Sequence, residues 1–135
     1  MISYIYTTDG IAPHQREGYF THWLYPPAPE PILRIQHGSR VIVLAFDSEL
    51  ERVVGYITAI SDGVSCAYIP HLEVLESQRG HGIGSELVRR MLEKLQHLYM
   101  IDLMCDPDLQ PFYARLGLRP HTGMIVRNFD RQRCD

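Results

Sequence analysis

The segment from Cys66 to His97, CAYIPHLEVLESQRGHGIGSELVRRMLEKLQH, combines the patterns of a strand, a turn and a long helix. Residues 68–74 are typical of a strand, which is followed by the polar run 76–79. From Ile83 onward, the apolar residues recur at helical spacing, which predicts one buried helix face. The turn between these two patterns holds three glycines: Gly80, Gly82 and Gly84.

The three glycines make this turn a candidate binding site. Glycine has no Cβ, so a ligand can approach the backbone closely, and a positive φ costs little. The helix that follows leaves the N–H groups of its first turn unpaired, and its dipole favours a negative charge there. A phosphate or pyrophosphate is the anion that such a turn binds most naturally. We therefore place the functional centre of the chain in this turn.

The composition limits the classes of protein that fit. A length of 135 residues predicts a single domain over 1–135. The net charge of −3 provides no general attraction to nucleic acid or to anionic membranes. The amino terminus has no signal-peptide or membrane-span pattern, and the three cysteines lack CxxC spacing. The histidines show no metal spacing. We expect a cytoplasmic protein that uses no metal.

The rest of the chain predicts a mixed α+β fold. Strands are predicted at 2–6, 41–46, 53–60, 64–74, 99–104 and 124–129. Besides the helix from Ile83, helices are predicted at 13–25, 32–36 and 108–116, and the proline-rich run 26–31 is predicted to be extended. Short turns join the strands between 41 and 74, which predicts an antiparallel meander. The strand at 99–104 follows a helical crossover and should be parallel to the strand before it.

Two other nucleotide-binding loops fit the glycine turn poorly. A P-loop needs a lysine directly after its last glycine, and none is present here. A dinucleotide-binding loop needs Gly-x-Gly-x-x-Gly and an acidic residue about 20 positions later. Gly80 and Gly82 fit that pattern, and Asp102 lies at roughly the required distance from them. Ser85, however, stands at the third glycine position.

Two motifs resemble those of the GNAT family of N-acetyltransferases. Arg79–Gly84, RGHGIG, is similar to the family's pyrophosphate loop, Arg/Gln-x-x-Gly-x-Gly/Ala, and Leu72–Val74 resembles its Leu-x-Val strand end. Phe112–Leu118, FYARLGL, resembles its Phe-Tyr-x-x-x-Gly-Phe segment. The resemblance covers residues 40–120. The chain departs from the family pattern at three positions: Glu76, Asp106 and Leu118.

The resemblance implies a fold and an activity. The GNAT fold has a central mixed, mostly antiparallel sheet of about six to seven strands flanked by about four helices. The implied activity is transfer of the acetyl group of acetyl-CoA to an amine, either a small molecule or a protein amino group, by direct attack in a ternary complex. The implied acetyl-CoA-binding residues are Leu72, Val74, Arg79, Gly80, His81, Gly82, Ile83, Gly84 and Ser85. A non-catalytic acyl-CoA-binding or regulatory module of the same fold is the alternative.

Acid–base chemistry assigns roles to three further residues. The resemblance makes Tyr113 the acid that protonates the CoA thiolate, since a phenol keeps its proton at neutral pH. Strand alternation places His71 and Glu73 on one face of the strand, with Tyr68 and Pro70 on the other. Either His71 or Glu73 could remove a proton from the amine, and a water relay without a single base remains open.

The acceptor site should be formed by the first 40 residues and the strand ends. Trp23, Tyr25 and the proline-rich run 26–31 are candidates to line it, although each could instead serve packing or a dimer contact. The sequence leaves open the identity of the amine and the length of the acyl chain. The family resemblance makes a homodimer possible.

Overall fold

The computed structural model describes residues 1–135, and its centre is a five-stranded sheet. The strands lie side by side in chain order: β1 (Ile2–Ile5), β2 (Val41–Asp47), β3 (Arg52–Ser61), β4 (Cys66–Val74) and β5 (Met100–Leu103). The pairs β1–β2, β2–β3 and β3–β4 are antiparallel, and β5 is parallel to β4. The mixed α+β fold, the meander and the parallel last strand are thus confirmed.

Three α-helices flank the sheet: α1 (Pro29–Gly38), α2 (Ile83–Leu95) and α3 (Gln110–Ala114). Single 3₁₀ turns lie at Pro13–Arg16, Glu76–Gln78, Pro107–Leu109 and Phe129–Arg131. None of these helices is both long and apolar enough to span a bilayer.

The core lies on both faces of the central strands. α2 buries its apolar stripe against one face, and four of its side chains are almost fully inaccessible: Leu87, Val88, Met91 and Leu95. Gly55 of β3 allows this close approach, because an added Cβ would come within 3.2 Å of Ile83 and Leu87. Segment 13–38 covers the opposite face, where the Tyr19 ring lies 5.0 Å from the Tyr56 ring.

A β-bulge shapes β4. Thr58 of β3 pairs with His71, but Ile60 pairs with Tyr68, so three steps along β4 oppose two along β3. One extra residue in β4 reverses the alternation of side chains beyond it. Tyr68 therefore lies on the same face as His71, and the prediction that it lies on the opposite face is wrong.

The structure corrects the predicted elements in three places. The sheet has five strands, fewer than six to seven, because residues 124–129 run beside no other strand. The predicted helix 13–25 is only a 3₁₀ turn, since Gly18 (φ +90°) and Phe20 (φ +56°) leave helical geometry. The run 26–31 is not wholly extended, because α1 begins at Pro29. Pro29 and Pro31 occupy the first turn of α1, where a missing N–H costs nothing.

Candidate functional site

The glycine loop has the open geometry that a bound anion needs. Gly80 (φ +82°) and Gly82 (φ +80°) both adopt the left-handed conformation, which disfavours any residue with a Cβ. A Cβ added to either would meet no atom within 4 Å, so the space beside the loop is free. Gly84 differs from these two glycines, because it lies inside α2 and an added Cβ would be in van der Waals contact with Phe112 and Val74.

The backbone of this loop presents a run of unpaired donors. No N–H group from Gly80 through Ser85 donates a hydrogen bond within the protein, whereas the N–H of Glu86 donates to the Gly82 carbonyl at 3.1 Å. No side chain caps α2, so its first-turn donors and its positive dipole end both remain available. His81 is exposed, and its Nδ1 lies 3.2 Å from the Gln78 carbonyl. Six successive donors of this kind can surround a pyrophosphate.

The end of β4 presents a second set of backbone groups, which no neighbouring strand pairs with. Pairing between β4 and β5 stops at Ile69 and Leu103, so the two strands separate beyond that point. The Leu75 N–H bonds to the Val54 carbonyl of β3 at 2.9 Å. Since antiparallel bonds alternate along a strand, Leu72 and Val74 direct their backbone groups away from β3, into the gap. The Val74 carbonyl there accepts from Arg79 Nε at 3.1 Å.

The separation of β4 and β5 opens a cleft of about 320 Å³. Its walls include Pro70, Leu72, Leu103, Asp106 and Tyr113, and Ile125 and Arg127 of the C-terminal part of the chain also line it. Burial raises the pKa of Tyr113 to about 12, with smaller contributions from Cys105 and Glu73. The phenol therefore keeps its proton throughout the neutral range and can donate it inside the cleft.

His71 and Glu73 lie together on one face of β4, as strand alternation predicts. This is the face of the sheet opposite to α2. Glu73 is 9% exposed, and burial raises its pKa to about 7 while Arg79, at 3.9 Å, opposes the rise. Burial lowers the pKa of His71 to about 4, so its imidazole is neutral at pH 7. A carboxyl that titrates near neutrality is well matched to proton transfer, and Glu73 is the stronger of the two bases.

A set of buried polar atoms without partners surrounds these two side chains. Tyr56 Oη, Thr58 Oγ1 and His71 Nδ1 have no hydrogen-bond partner within the protein. In the register of β3 and β4, Tyr56 lies opposite Glu73 and Thr58 lies opposite His71, so all four side chains share one face of the sheet. Buried polar groups normally have partners, so this face is prepared for water or for a polar ligand.

Aromatic rings from the first segment cover that polar face. The Phe20 ring lies 4.2 Å from Trp23 and 5.2 Å from His71, centroid to centroid. Phe20 holds a positive φ, a strained conformation that is common at ligand-binding sites. Phe20, Tyr56 and Thr58 were not singled out from the sequence. The signal for the last two was available: they are the polar side chains of a strand, residues 53–60, that is otherwise apolar or glycine.

The predicted acceptor residues are only partly brought together. Trp23 lies 6.3 Å from the His71 ring, beside the polar face. Tyr25 instead contacts the C-terminal tail, residues 129–135: its N–H donates to Gln132 Oε1 at 2.9 Å, and Arg133 stacks on its ring at 4.9 Å. The proline-rich run divides between an extended part and the first turn of α1. No three His, Cys, Asp or Glu side chains of the structure converge as metal ligands would.

Comparison with known proteins gives a consistent result. The acetyltransferase (GNAT) family model matches residues 3–118. The crystal structure of an inferred acetyltransferase from Deinococcus radiodurans has 45% identity and a TM-score of 0.94, over 98% of this chain and 92% of that chain. A GNAT family acetyltransferase from Streptococcus pneumoniae has 28% identity and a TM-score of 0.76, over 95% and 98%. Glucosamine-6-phosphate N-acetyltransferase from Arabidopsis thaliana shares the fold, at 15% identity and a TM-score of 0.67, over 96% and 99%. No curated protein sequence matches the chain.

Proposed function

Because this chain belongs to the GNAT family of acetyltransferases, we propose that it transfers the acetyl group of acetyl-CoA to a primary amine. The amine belongs to a small molecule or to a protein, and it attacks directly while both substrates are bound. The observation that carries the proposal is that a single strand, β4, connects the candidate base to the candidate pyrophosphate-binding loop. β4 carries Glu73, of raised pKa, and leads into the loop whose donors from Gly80 to Ser85 are unpaired.

The backbone of the site fits the two parts of CoA that must be held. The free donors from Gly80 to Ser85, and the open space beside Gly80 and Gly82, suit the pyrophosphate. The backbone groups of Leu72 and Val74 that face away from β3, of which the Val74 carbonyl already accepts from Arg79 Nε, suit the amides of the pantetheine arm, as an added strand would. Arg79 lies between these two regions and adds a positive charge next to the loop.

Glu73 is proposed as the base of the reaction. A free alkylamine has a pKa of about 10 and is protonated at neutral pH, so it must lose a proton before it can attack. With a pKa of about 7, Glu73 is partly ionised at neutral pH and can accept this proton directly or through a water molecule. His71 is the second candidate, but its pKa of about 4 suits an uncharged hydrogen-bond acceptor better than a base.

Tyr113 is proposed as the acid. Acetyl-CoA supplies an activated acyl group, and the amine nitrogen forms a C–N bond to it as the C–S bond breaks. The sulfur leaves as a thiolate, and Tyr113 donates its phenolic proton to it within the cleft. Because the pKa of Tyr113 is about 12, the phenol is available in its protonated form at every pH at which the protein would work.

The proposed compartment is the cytoplasm. All three cysteines, Cys66, Cys105 and Cys134, are free thiols, which suits a reducing environment. The proposed reaction also needs no metal and no nucleic-acid or membrane partner, since acetyl-CoA and the amine supply every reacting atom.

Thermal unfolding with acetyl-CoA, CoA and NAD in parallel tests the loop's ligand. A ligand that binds only the folded state at 100 times its dissociation constant adds about 2.7 kcal/mol, which raises the Tm by several degrees. We expect acetyl-CoA and CoA to raise the Tm and NAD to leave it unchanged. No shift with acetyl-CoA would refute the pyrophosphate assignment.

Release of free CoA thiol then tests catalysis. The amine panel should include arylalkylamines, polyamines and peptides with a free amino group, because the rings of Phe20 and Trp23 beside His71 favour an amine with an apolar body. Acetyl-CoA binding without amine-dependent thiol release from any member would instead support a non-catalytic acyl-CoA-binding module.

A further inference from the structure

A polar pocket lies at the end of the molecule opposite the glycine loop. The segment after β1, the end of α1, the start of β2 and the last turn of α2 form its walls. Its volume of about 380 Å³ is within the size range of small-molecule sites. Lys94 of the pocket is separated from Gly84 by about 15 Å along α2, at 1.5 Å per residue. The pocket is therefore distinct from the proposed acetyl-CoA site.

A buried cation without a counter-ion lies directly behind the wall of this pocket. Arg16 is 0% exposed, and none of the ion pairs in the structure includes it. Its guanidinium donates only to neutral acceptors: the carbonyls of Thr8 and Ile11 and the Gln36 side chain. Burial lowers the pKa of Arg16, and no carboxylate opposes this effect. Because a buried charge is costly unless it is paired, this position favours an anion nearby.

Gln36 connects the buried cation to the pocket. Its Oε1 accepts a hydrogen bond from Arg16, and its side chain, 1% exposed, lines the pocket. The Nε2 group of Gln36 has no hydrogen-bond partner, and neither has the Nε of Arg16. Both of these groups are donors, and buried donors normally have an acceptor. We therefore expect the missing partner of this wall to carry acceptor oxygens.

The open side of the pocket carries positive charges that the chain leaves free. Arg40 and Lys94 line it, and neither takes part in an ion pair. The Lys94 ammonium lies 4.6 Å from the centre of the Tyr6 ring. His37 also lines the pocket, and Asp9 is the one acidic residue among its lining side chains. Two cations at the rim and a third behind the wall thus outweigh a single carboxylate.

The helix ends at the pocket do not create a cation site instead. α1 and α2 both end here, and the last carbonyls of a helix favour a positive charge. In α1, however, Ser39 occupies two of these carbonyls: its N–H donates to Gln36 at 3.3 Å, and its hydroxyl donates to Ile35 at 2.7 Å. Two N–H groups that follow α2 bond its last carbonyls in the same way. The N–H groups of residues 7 and 8, by contrast, donate to no backbone carbonyl.

We propose that this pocket binds a small oxyanion ligand, namely a phosphorylated or carboxylated metabolite, at a second site of the protein. Gln36 Nε2 donates to an oxygen of the ligand, and Arg40 and Lys94 pair with its negative charge. The anion is also the counter-ion that Arg16 lacks within the chain. The site does not depend on acetyl transfer, so its test is independent of the proposed reaction.

Thermal unfolding with two probe anions, inorganic phosphate and citrate, tests the proposal. Sodium chloride keeps the ionic strength constant, and excess CoA occupies the glycine loop throughout. At 100 times its dissociation constant, a probe should raise the Tm by several degrees. Half-saturation at a lower concentration of phosphate than of citrate would indicate a phosphorylated ligand, and the reverse order would indicate a carboxylated one.

Substitutions at the rim locate the bound anion. Arg40→Gln and Lys94→Gln each remove one cation and should each weaken probe binding about tenfold, since each removes a charge-assisted hydrogen bond. Both side chains are exposed, so both variants should fold. Arg115→Gln is the matched control, because it removes an exposed cation directly after α3 and outside the pocket. This control should bind both probes as the wild type does.

Lys94 reports the position of the anion without any substitution, because it is the only lysine of the chain. Its rate of acetylation by N-hydroxysuccinimide acetate can be followed by peptide mass spectrometry. Phosphate or citrate should slow this reaction several-fold and leave the rate at the amino group of Met1 unchanged. A Tm that neither probe alters would overturn the proposal. A rise in Tm that both variants retain in full, or that leaves Lys94 unprotected, would overturn it as well, because the anion would then bind elsewhere.

Discussion

Replacing Glu73 by glutamine should stabilise the protein at alkaline pH while it slows acetyl transfer. Burial raises the pKa of this carboxyl from 4.5 to about 7. Between pH 4.5 and about pH 7, the carboxyl of Glu73 keeps its proton in the folded state but has released it in the unfolded state. The stability of the wild type therefore falls as the pH rises through this range, because ionisation costs more in the folded state.

The size of the effect follows from the two pKa values. A difference between 4.5 and about 7 corresponds to about 3 kcal/mol, at 1.36 kcal/mol for each pKa unit. At pH 5 only a small part of this cost is present, because pH 5 lies close to the pKa of 4.5 at which the carboxyl of the unfolded chain begins to release its proton. Solvent that reaches the carboxyl reduces the cost further. We therefore expect the gain from Glu73→Gln to be about 1–2 kcal/mol larger at pH 8 than at pH 5.

Urea unfolding of both proteins at pH 5 and pH 8 measures this difference. Heating should show it too, with roughly 4 °C in Tm for each kcal/mol in a chain of this size. Glu76→Gln is the matched control, because it removes a carboxylate that is exposed and close in sequence. That control should show no gain that grows with pH.

The kinetic comparison separates burial from catalysis. As the base, Glu73 should make kcat/KM of the wild type fall about tenfold per pH unit below pH 7, and Glu73→Gln should lose this dependence. A stability difference that is the same at pH 5 and pH 8 would refute the raised pKa. The expected stability difference with an unchanged pH–rate profile would show that Glu73 is buried but is not the base.

Two further substitutions test the acid and the loop. Tyr113→Phe should lower kcat by about 100-fold and leave acetyl-CoA binding unchanged, whereas Tyr99→Phe, at an exposed tyrosine, should have no effect; equal losses of binding and turnover would contradict the assignment of Tyr113 as the acid. Gly82→Ala should lower stability by about 1–2 kcal/mol in urea unfolding, because its φ of +80° disfavours a Cβ, and should weaken acetyl-CoA binding in a thermal-shift titration. Gly38→Ala, at a glycine without positive φ and with free space around it, is the control and should cost nothing; equal effects at both positions would show that backbone conformation is not the cause.

The local features of this protein could be predicted from its sequence. The helix predicted from Ile83 begins at that residue, and the positive φ values of Gly80 and Gly82 occur in the turn where glycines accumulate. Both features depend on interactions within a few residues, namely helical periodicity and the absence of a Cβ. The meander and the parallel crossover also follow from short connections that leave few alternatives.

Features that need a distant partner were not predictable in the same way. Residues 124–129 have the composition of a strand, but a strand needs a neighbour, and none is present within the chain. The face on which Tyr68 lies depends on one extra residue in β4, which only the pairing with β3 reveals.

By itself, the sequence determined the glycine loop, the helix behind it and the alternation that puts His71 and Glu73 on one face. These are consequences of backbone geometry over a few residues. Only the tertiary structure decided that Phe20 and Trp23 cover that face, that Tyr56 and Thr58 lie there without partners, and that burial moves the pKa of Glu73 to about 7. Each of these depends on segments tens of residues apart, because burial and desolvation are properties of the packed chain.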